Sequence, residues 1–461
     1  GEPPSHLSIG VIGPVSSGKS TLCGRFILTY KGIDKKIEKQ YRTQASHYGK
    51  SQEEWMSWIL DQQRIERERG HSMENSIWGL NLDEESQMQA HLKSKDVKEL
   101  RRFTIIDSPG GSHSEKRVHQ ACAFTDSAVV VLSAVPGEYE GCLDQFRQYA
   151  MAAMTAGIKS FVVAVNKMDH QRVLYSKERF DQIEKFVRNF FESRIRRRSG
   201  RSIAVVPVSA KTGCNVCSFK NHNSPMSWWN GDTLVAAVAA LRGSPKRLGP
   251  ESIKKPLRFI VLKSFRSYQS GTIAIGRVEA GQLRVGQNVV VSPGGMRGIV
   301  NSIQQHYKDE KTANPGDLVG VGLKGIAVRD LKCGFIMGLE EKNSPKTTVS
   351  FEAQILVTNQ PYDIREGASH VMDIHGAHIP VRLQSIRARH KQKKGTKEIE
   401  DSYSNPKSLK PSERGEVTFK PLKPVCVETS DVYNHLGRFA IRSNGAIVSV
   451  GAVTSVKYES K

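Results

Sequence analysis

The sequence has few cysteines for its length and no long apolar segment. Seven cysteines, unevenly spaced and odd in number, stand among 461 residues, a usage that argues against a disulfide framework and favours reduced thiols in the cytoplasm. The longest apolar run, residues 128–135, has the length of a strand and falls far short of the roughly 20 residues that a membrane helix needs. Internal repeats and low-complexity tracts are also lacking. The sequence therefore predicts neither a membrane span nor a repeat protein.

Acidic residues are scarce relative to basic ones. The chain has 46 Asp and Glu against 68 Lys and Arg, so its formal net charge is +22. Such a charge favours polyanionic partners, namely RNA, acidic filaments or anionic membranes, and does not by itself choose among them. The length exceeds what one hydrophobic core supports and suggests two to four domains.

Residues 13–20, Gly-Pro-Val-Ser-Ser-Gly-Lys-Ser, match a phosphate-binding loop. They follow an apolar run and precede a helical segment, which is the strand-loop-helix context that such a loop needs. The glycines let backbone N–H groups turn inward, the lysine can reach the outer phosphates and the final serine can hold Mg²⁺. The residues that we expect to contact the phosphates are Gly13, Ser16, Ser17, Gly18, Lys19, Ser20 and Thr21.

Three further motifs stand at the ends of predicted strands. Asp107-Ser108-Pro109-Gly110 offers a carboxylate for the Mg²⁺ shell and, in Gly110, an N–H for the γ-phosphate. Asn166-Lys167-Met168-Asp169 offers a carboxylate that can accept the guanine N1–H and 2-amino groups, with Lys167 packing on the ring. Adenine lacks both donors and would leave the buried carboxylate unpaired. Backbone N–H groups of Ser209-Ala210-Lys211 can reach the guanine O6. The four motifs together predict guanine nucleotide binding, GTP or GDP with Mg²⁺.

The order of elements predicts an α/β P-loop GTPase domain followed by β domains. Apolar strands alternate with helical stretches as far as about residue 241, which is typical of a mostly parallel, doubly wound sheet, and residues 35–98 form a polar insertion of helical composition. A Gly/Pro/Ser-rich linker follows, and then short β-branched runs separated by glycine turns, typical of all-β barrels. We predict a GTP-binding domain at residues 1–242, a β-barrel at 253–342 and a second β-barrel at 347–461.

Other short stretches are spread along nearly the whole chain. They are residues 32–35 (Gly-Ile-Asp-Lys), 58–61 (Trp-Ile-Leu-Asp), 66–70 (Glu-Arg-Glu-Arg-Gly), 255–258 (Lys-Pro-Leu-Arg), 276–279 (Gly-Arg-Val-Glu), 315–317 (Pro-Gly-Asp) and 436–442 (Leu-Gly-Arg-Phe-Ala-Ile-Arg). With these stretches and the four motifs, the chain resembles the elongation factor 1-alpha family within the translational GTPases. The resemblance implies a GTP-binding domain with two β-barrels and a role in carrying aminoacyl-tRNA to the ribosome.

The chain departs from that family at positions that serve hydrolysis. The family's histidine after Asp-x-Pro-Gly, which positions the attacking water, is Gly111 here, so we assign no catalytic residue and expect slow hydrolysis. His113, two residues further on, is an alternative source of an imidazole. Ser16 replaces a family aspartate in the phosphate loop. The resemblance also implies that Ser72 replaces the switch I threonine as a ligand of Mg²⁺, beside Ser20 and Asp107.

The expected partners follow from the same comparison. Residues 112–120 share little with the family's switch II helix, which puts binding of tRNA and of a nucleotide exchange factor in question. The basic run 387–397 lies where the family's third domain meets tRNA, and either RNA or an acidic filament could contact it. His306 lies where the family lines its aminoacyl pocket. Two interpretations stay open: a tRNA-binding, ribosome-associated GTP-binding factor, or a paralogue that keeps the nucleotide as a structural ligand and binds actin or microtubules. A third alternative is a ribosome-rescue or termination-type relative, although such relatives usually carry long N-terminal extensions, which the printed sequence does not show.

Overall fold

The computed structural model places most of the chain in two compact units. Contacts divide it into Gly1–Ala150 with Ile158–Ser244, and Met151–Gly157 with Pro245–Lys461. The structure describes residues 6–29, 33–47, 54–60, 66, 74–81, 102–111, 114–194, 202–216, 225–241, 250–267, 271–306, 308–341, 343–358, 363–392 and 399–459. No helix within these ranges has both the length and the apolar character that crossing a membrane requires. The predicted boundaries of three domains stay a prediction.

The first unit is built on a mostly parallel sheet. Its described strands are β1 (His6–Ile12), β2 (Ser76–Asn81), β3 (Arg102–Asp107), β4 (Ser127–Ser133), β5 (Ser160–Asn166) and β6 (Ser202–Pro207), in the order β2-β3-β1-β4-β5-β6. Every pair is parallel except β2 with β3. Strands β1 and β4 are buried on both faces, which explains their continuous apolar runs. The parallel arrangement brings the carboxyl ends of β1, β3, β4, β5 and β6 to one edge, where all four motifs lie.

Helices connect these strands. The described ones are α1 (Lys19–Thr29), α2 (Lys35–His47), α3 (Glu115–Ala123), α4 (Glu138–Gly141), α5 (Leu143–Thr155), α6 (Lys177–Arg194) and α7 (Leu234–Ala239), with a 3₁₀ turn at Glu54–Ile59. The polar insertion was predicted to be helical, and α2 agrees with that prediction. Strand β2 does not: it lies inside the insertion and pairs antiparallel with β3, as an edge strand that is held by tertiary pairing. The core on one face joins α1, the 3₁₀ turn and α7 to the sheet.

The second unit contains two closed antiparallel barrels. After α8 (Pro250–Lys254), the first barrel consists of β7 (Arg258–Ser267), β8 (Gly271–Ala280), β10 (Asn288–Ser292), β11 (Met296–Gln305), β14 (Leu318–Lys324) and β15 (Ile336–Leu339). Short strands β9 (Leu283–Arg284), β12 (Lys308–Glu310) and β13 (Thr312–Ala313) and a 3₁₀ turn at Val328–Asp330 accompany it. Pairing of β10 with β11 closes the ring, and apolar side chains that alternate along the strands fill its interior.

The second barrel repeats this closure with different strands. Its ring is β16 (Thr348–Val357), β18 (Ser369–Ile374), β19 (Ala377–Gln392), β22 (Arg414–Pro421), β23 (Arg438–Ser443) and β24 (Ala446–Tyr458), closed by β18 with β19. Strands β17 (Ile364–Arg365), β20 (Ile399–Ser404) and β21 (Ser408–Leu409) lie beside it. Because closure leaves no long unpaired edge in the ring, each barrel is a self-contained core. The α/β domain with two β-barrels confirms the predicted fold class.

Candidate nucleotide-binding site

The phosphate loop joins β1 to α1 in a tight turn. Ser16 and Gly18 have positive φ values of 58° and 86°, so two left-handed residues curl the backbone around a hollow. Pro14 O closes the turn by accepting three hydrogen bonds, from Ser17 N at 3.4 Å, from Ser17 Oγ at 2.9 Å and from Lys19 Nζ at 2.8 Å. The residues of the sequence motif therefore form a tight turn, and their contact with phosphates stays a prediction. Gly13, at the end of β1, is buried, and Thr21, in the first turn of α1, is half-buried.

Lys19 is buried, and its environment disfavours the charged form of its side chain. Burial lowers the pKa of its ammonium to about 8, and the nearby Asp107 carboxylate only partly offsets this effect. Gly110 packs so closely on the loop that a Cβ at this position would overlap with Lys19 Nζ and Pro14 O. A glycine is therefore needed where the strand-end motif of β3 meets the phosphate loop.

Ser20 and Asp107 form a pair suited to Mg²⁺. Because β1 and β3 are adjacent, the first turn of α1 and the end of β3 meet, and Ser20 Oγ donates to Asp107 Oδ2 at 2.7 Å. A hydroxyl and a carboxylate oxygen are ligands that Mg²⁺ prefers, and the ion usually keeps waters and substrate phosphates in its other positions. Ser72, the third predicted ligand, lies outside the described residues. Among those that are described, no cluster of three His, Cys, Asp or Glu side chains offers an alternative metal site.

Asn166 connects the phosphate loop to the predicted base-binding loops. Its Nδ2 donates to Ser17 O at 2.9 Å, and its Oδ1 accepts from Ala210 N at 2.9 Å. The loops after β5 and β6 are joined a second time, because Ser209 Oγ donates to Asp169 Oδ1 at 2.6 Å. Because the Ala210 N–H already donates to Asn166 Oδ1, this hydrogen bond would have to break before the N–H could donate to a guanine O6. The structure thus brings together the residues that the three motifs contribute.

Two features of the site carry no motif signal in the sequence. Arg25, two turns into α1, donates from Nε to Ala210 O at 3.1 Å and from Nη2 to Lys211 O, which fixes the loop after β6. Glu138, at the start of α4, accepts hydrogen bonds from Lys167 Nζ on both carboxylate oxygens, at 2.8 Å on Oε2 and 3.1 Å on Oε1. Both contacts join residues that are distant in the chain, so no local pattern could have predicted them.

Gly111 stands at an open position. Apart from its chain neighbours, no described residue has a heavy atom within 4 Å of a Cβ built there. Its carbonyl is fixed by three donors: Ser114 N at 3.2 Å, Ser114 Oγ at 2.5 Å and Tyr149 OH at 3.4 Å. The main chain at this position is therefore held in place, while no described residue other than its chain neighbours occupies the space for a side chain. His113, the alternative imidazole, lies outside the described residues.

The basic run is partly described, as the end of β19. Arg387 pairs with Glu352, and the Arg389 guanidinium lies 4.3 Å from the centre of the Tyr403 ring, with Glu413 at 3.9 Å from its Nε. Residues 393–398 lie outside the described part of the chain. His306, half-buried after β11, has a positive φ of 48°.

Comparison with known families defines the class of the first unit. Residues 4–242 match the family described as the elongation factor Tu GTP binding domain. Residues 271–338 match elongation factor Tu domain 2, and residues 350–454 match the GTP-eEF1A C-terminal domain-like family. The cradle, the Ser20–Asp107 pair and the loops at the strand ends thus lie in a GTP-binding domain of the elongation factor Tu type.

Full-length relatives narrow the assignment. Elongation factor 1-alpha 1 of Euplotes crassus is 33% identical over 99% of this chain and 97% of its own, and elongation factor 1-alpha of Stylonychia lemnae is 34% identical over 98% and 95%. The chain belongs to the elongation factor 1-alpha family of translational GTPases, as a divergent member. The fold is also that of the Saccharomyces cerevisiae Ski7 GTPase-like domain bound to GTP, with a TM-score of 0.75, 16% identity and 98% of both chains covered. A second solved structure with this fold is translation elongation factor SelB of Methanococcus maripaludis with a GTP analogue, with a TM-score of 0.65, 16% identity, and 98% of this chain and 79% of that chain covered.

Proposed function

We propose that this protein binds GTP and GDP with Mg²⁺ as a translation factor in the cytoplasm and hydrolyses GTP slowly. The observation that carries the proposal is the pair of hydrogen bonds by which Asn166 joins the phosphate loop to the loop after β6. A site built only for phosphate would not need this connection. Gly13, Ser16, Ser17, Gly18, Lys19, Ser20, Thr21 and Gly110 would hold the phosphates, Asn166, Lys167, Asp169, Ser209, Ala210 and Lys211 the base, and Ser20, Asp107 and Ser72 the metal.

Base selectivity provides a direct test. We expect a fluorescent GDP analogue to bind and to be displaced by GDP but not by ADP, because adenine lacks the two donors that guanine offers to the Asp169 carboxylate. Chelation of Mg²⁺ should weaken the binding of GTP. In Asp169→Asn the side-chain amide can donate to the 2-carbonyl of xanthine, so this variant should lose GDP and gain xanthosine diphosphate. Equal affinity of the unmodified protein for GDP and ADP would contradict the proposal.

Slow hydrolysis follows from Gly111. A glycine has no side chain to orient water, and loss of such a group typically costs a factor of about 10² to 10⁴ in rate. Multiple-turnover GTP hydrolysis, measured with and without ribosomes, tests this part. A ribosome-stimulated rate equal to that of an ordinary elongation factor would contradict it.

We also propose aminoacyl-tRNA as a ligand of the GTP form, on the basis of family membership and of the net charge of +22. The test is binding of aminoacyl-tRNA to the GTP-loaded and GDP-loaded protein across a salt series, since phosphate contacts make affinity fall steeply with salt. Absence of binding at low salt in the GTP form would exclude this ligand. We do not extend the proposal to actin, microtubules or an exchange factor, because no contact among the described residues distinguishes these partners.

A further inference from the structure

Lys167 is held at both ends. Its backbone is left-handed, with φ of 65°, a conformation that an L-residue with a side chain adopts at a cost. Its ammonium is bound by both oxygens of Glu138, at 2.8 and 3.1 Å. The exposed fraction of the side chain is 28% for Lys167 and 41% for Glu138, so the ion pair lies at the surface of the site.

Glu138 is in turn held by the end of β4. Ser133 Oγ donates to Glu138 Oε2 at 2.6 Å, and Val135 N donates to Ser133 Oγ at 3.2 Å. Partial burial alone would raise the pKa of the Glu138 carboxyl, but the hydrogen bonds from Lys167 and Ser133 outweigh this effect and the pKa lies below its ordinary value. The carboxylate is therefore charged at neutral pH and fixed in direction.

The chain of contacts crosses the edge of the sheet that carries the nucleotide motifs. Ser133 and Asn166 are register partners at the carboxyl ends of β4 and β5. Lys167 follows Asn166 directly, and its side chain reaches back to Glu138 beyond β4. The Lys167 side chain is thus fixed at its ammonium by Glu138. A side chain that is already ordered loses less conformational entropy when a ligand packs on it.

We propose that Glu138 is a positioning residue for the guanine base, because it holds the Lys167 stem in place for packing on the ring. The inference rests on the proposed nucleotide binding and assigns a role to a residue outside the four motifs. Ser133 acts through Glu138 by orienting its carboxylate. Glu138 itself does not contact the nucleotide.

Affinities of the full chain for GDP and for inorganic pyrophosphate test the proposal. We expect Glu138→Ala to weaken GDP binding about three- to tenfold, the range of a half-exposed hydrogen-bonded ion pair, with Glu138→Gln in between. Pyrophosphate, which lacks a base, should compete equally well against both proteins. Glu184→Ala is the matched control, since Glu184 receives two hydrogen bonds from Arg188 on α6, and it should leave GDP binding unchanged.

A double-mutant cycle with Lys167→Met makes the test specific. If Glu138 acts through Lys167, Glu138→Ala in the Lys167→Met background should cause no further loss of GDP affinity. Three results would overturn the inference: GDP affinity of Glu138→Ala equal to that of the unmodified protein, equal losses for GDP and pyrophosphate, or additive losses in the double variant. Failure of the unmodified protein to bind GDP at all would instead refute the proposed function.

Discussion

Restoring an imidazole at position 111 should accelerate GTP hydrolysis. The substitution Gly111→His fits the described part of the structure, because a Cβ there meets none of its heavy atoms within 4 Å beyond the chain neighbours, and Gly111 does not have a positive φ. Replacing a glycine where the backbone tolerates a side chain usually stabilises a protein by about 0.4–1 kcal/mol, through the unfolded chain. We therefore expect the variant to fold with unchanged or slightly higher stability.

The size of the gain follows from two opposing features. A positioned group that assists proton transfer is worth about 10² to 10⁴ in rate, equivalent to about 2.7–5.4 kcal/mol of activation free energy. The carbonyl of Gly111 is fixed by Ser114 and Tyr149, so the new side chain would leave a defined backbone position. However, no described atom within 4 Å of its Cβ would hold the imidazole in one rotamer. We expect a gain at or below the lower end of this range, about tenfold to a hundredfold.

Single-turnover release of phosphate from GTP, with protein in excess, measures this gain without interference from product release. Gly111→Ala is the matched control, since it adds a Cβ and removes the glycine flexibility without adding an imidazole. The reasoning would be refuted if Gly111→His bound GTP normally and hydrolysed it no faster than Gly111→Ala. In that case another feature of the site, such as Ser16 in place of aspartate, would limit the reaction.

Three further predictions concern the buried groups. Because the pKa of Lys19 is about 8 before a phosphate binds, GDP affinity should fall about fivefold from pH 8 to pH 9 as the ammonium loses its proton; a flat binding profile would contradict this. Asn166→Ala leaves Ser17 O and Ala210 N without this buried partner, so urea unfolding should show a loss of about 2–4 kcal/mol, whereas the exposed Asn189→Ala on α6 should lose almost nothing. Burial lowers the pKa of His370, whose ring nitrogens have no hydrogen-bond partner among the described residues, so the unfolded chain binds more protons and stability should fall as pH drops below about 6.5. His370→Leu should flatten that slope between pH 7 and pH 5, and an unchanged slope would show that other groups cause it.

Local sequence accounts for the phosphate loop and for the strands beneath it. Glycine at position 18 and the Lys-Ser pair that follows act within a few bonds of one another, so a linear pattern is enough to predict the cradle. The same holds for β1, β4 and β5, whose continuous apolar runs are typical of strands that are buried on both faces. The interpretation of Gly111 as a departure from the family pattern stays a prediction from the sequence.

Contacts between distant residues required the folded chain. Strand β2 lies in an insertion that was predicted to be helical from its overall composition, and in the folded chain it pairs with β3. Asn166 meets Ser17 across 149 residues, and Lys167 meets Glu138 across 29.

The sequence by itself determined the class of this protein and the motifs from which guanine-nucleotide binding is predicted, and it predicts that Gly111 stands where the family's histidine is expected. Each of these features depends only on residue types at fixed spacings along a short segment of the chain. Only the tertiary structure decided that burial lowers the pKa of Lys19, that Glu138 binds Lys167, and that no described residue beyond the chain neighbours of Gly111 fills the space beside it. Burial, ion pairing and open space depend on which strand ends lie side by side, and that is a property of the packed sheet rather than of any segment within it.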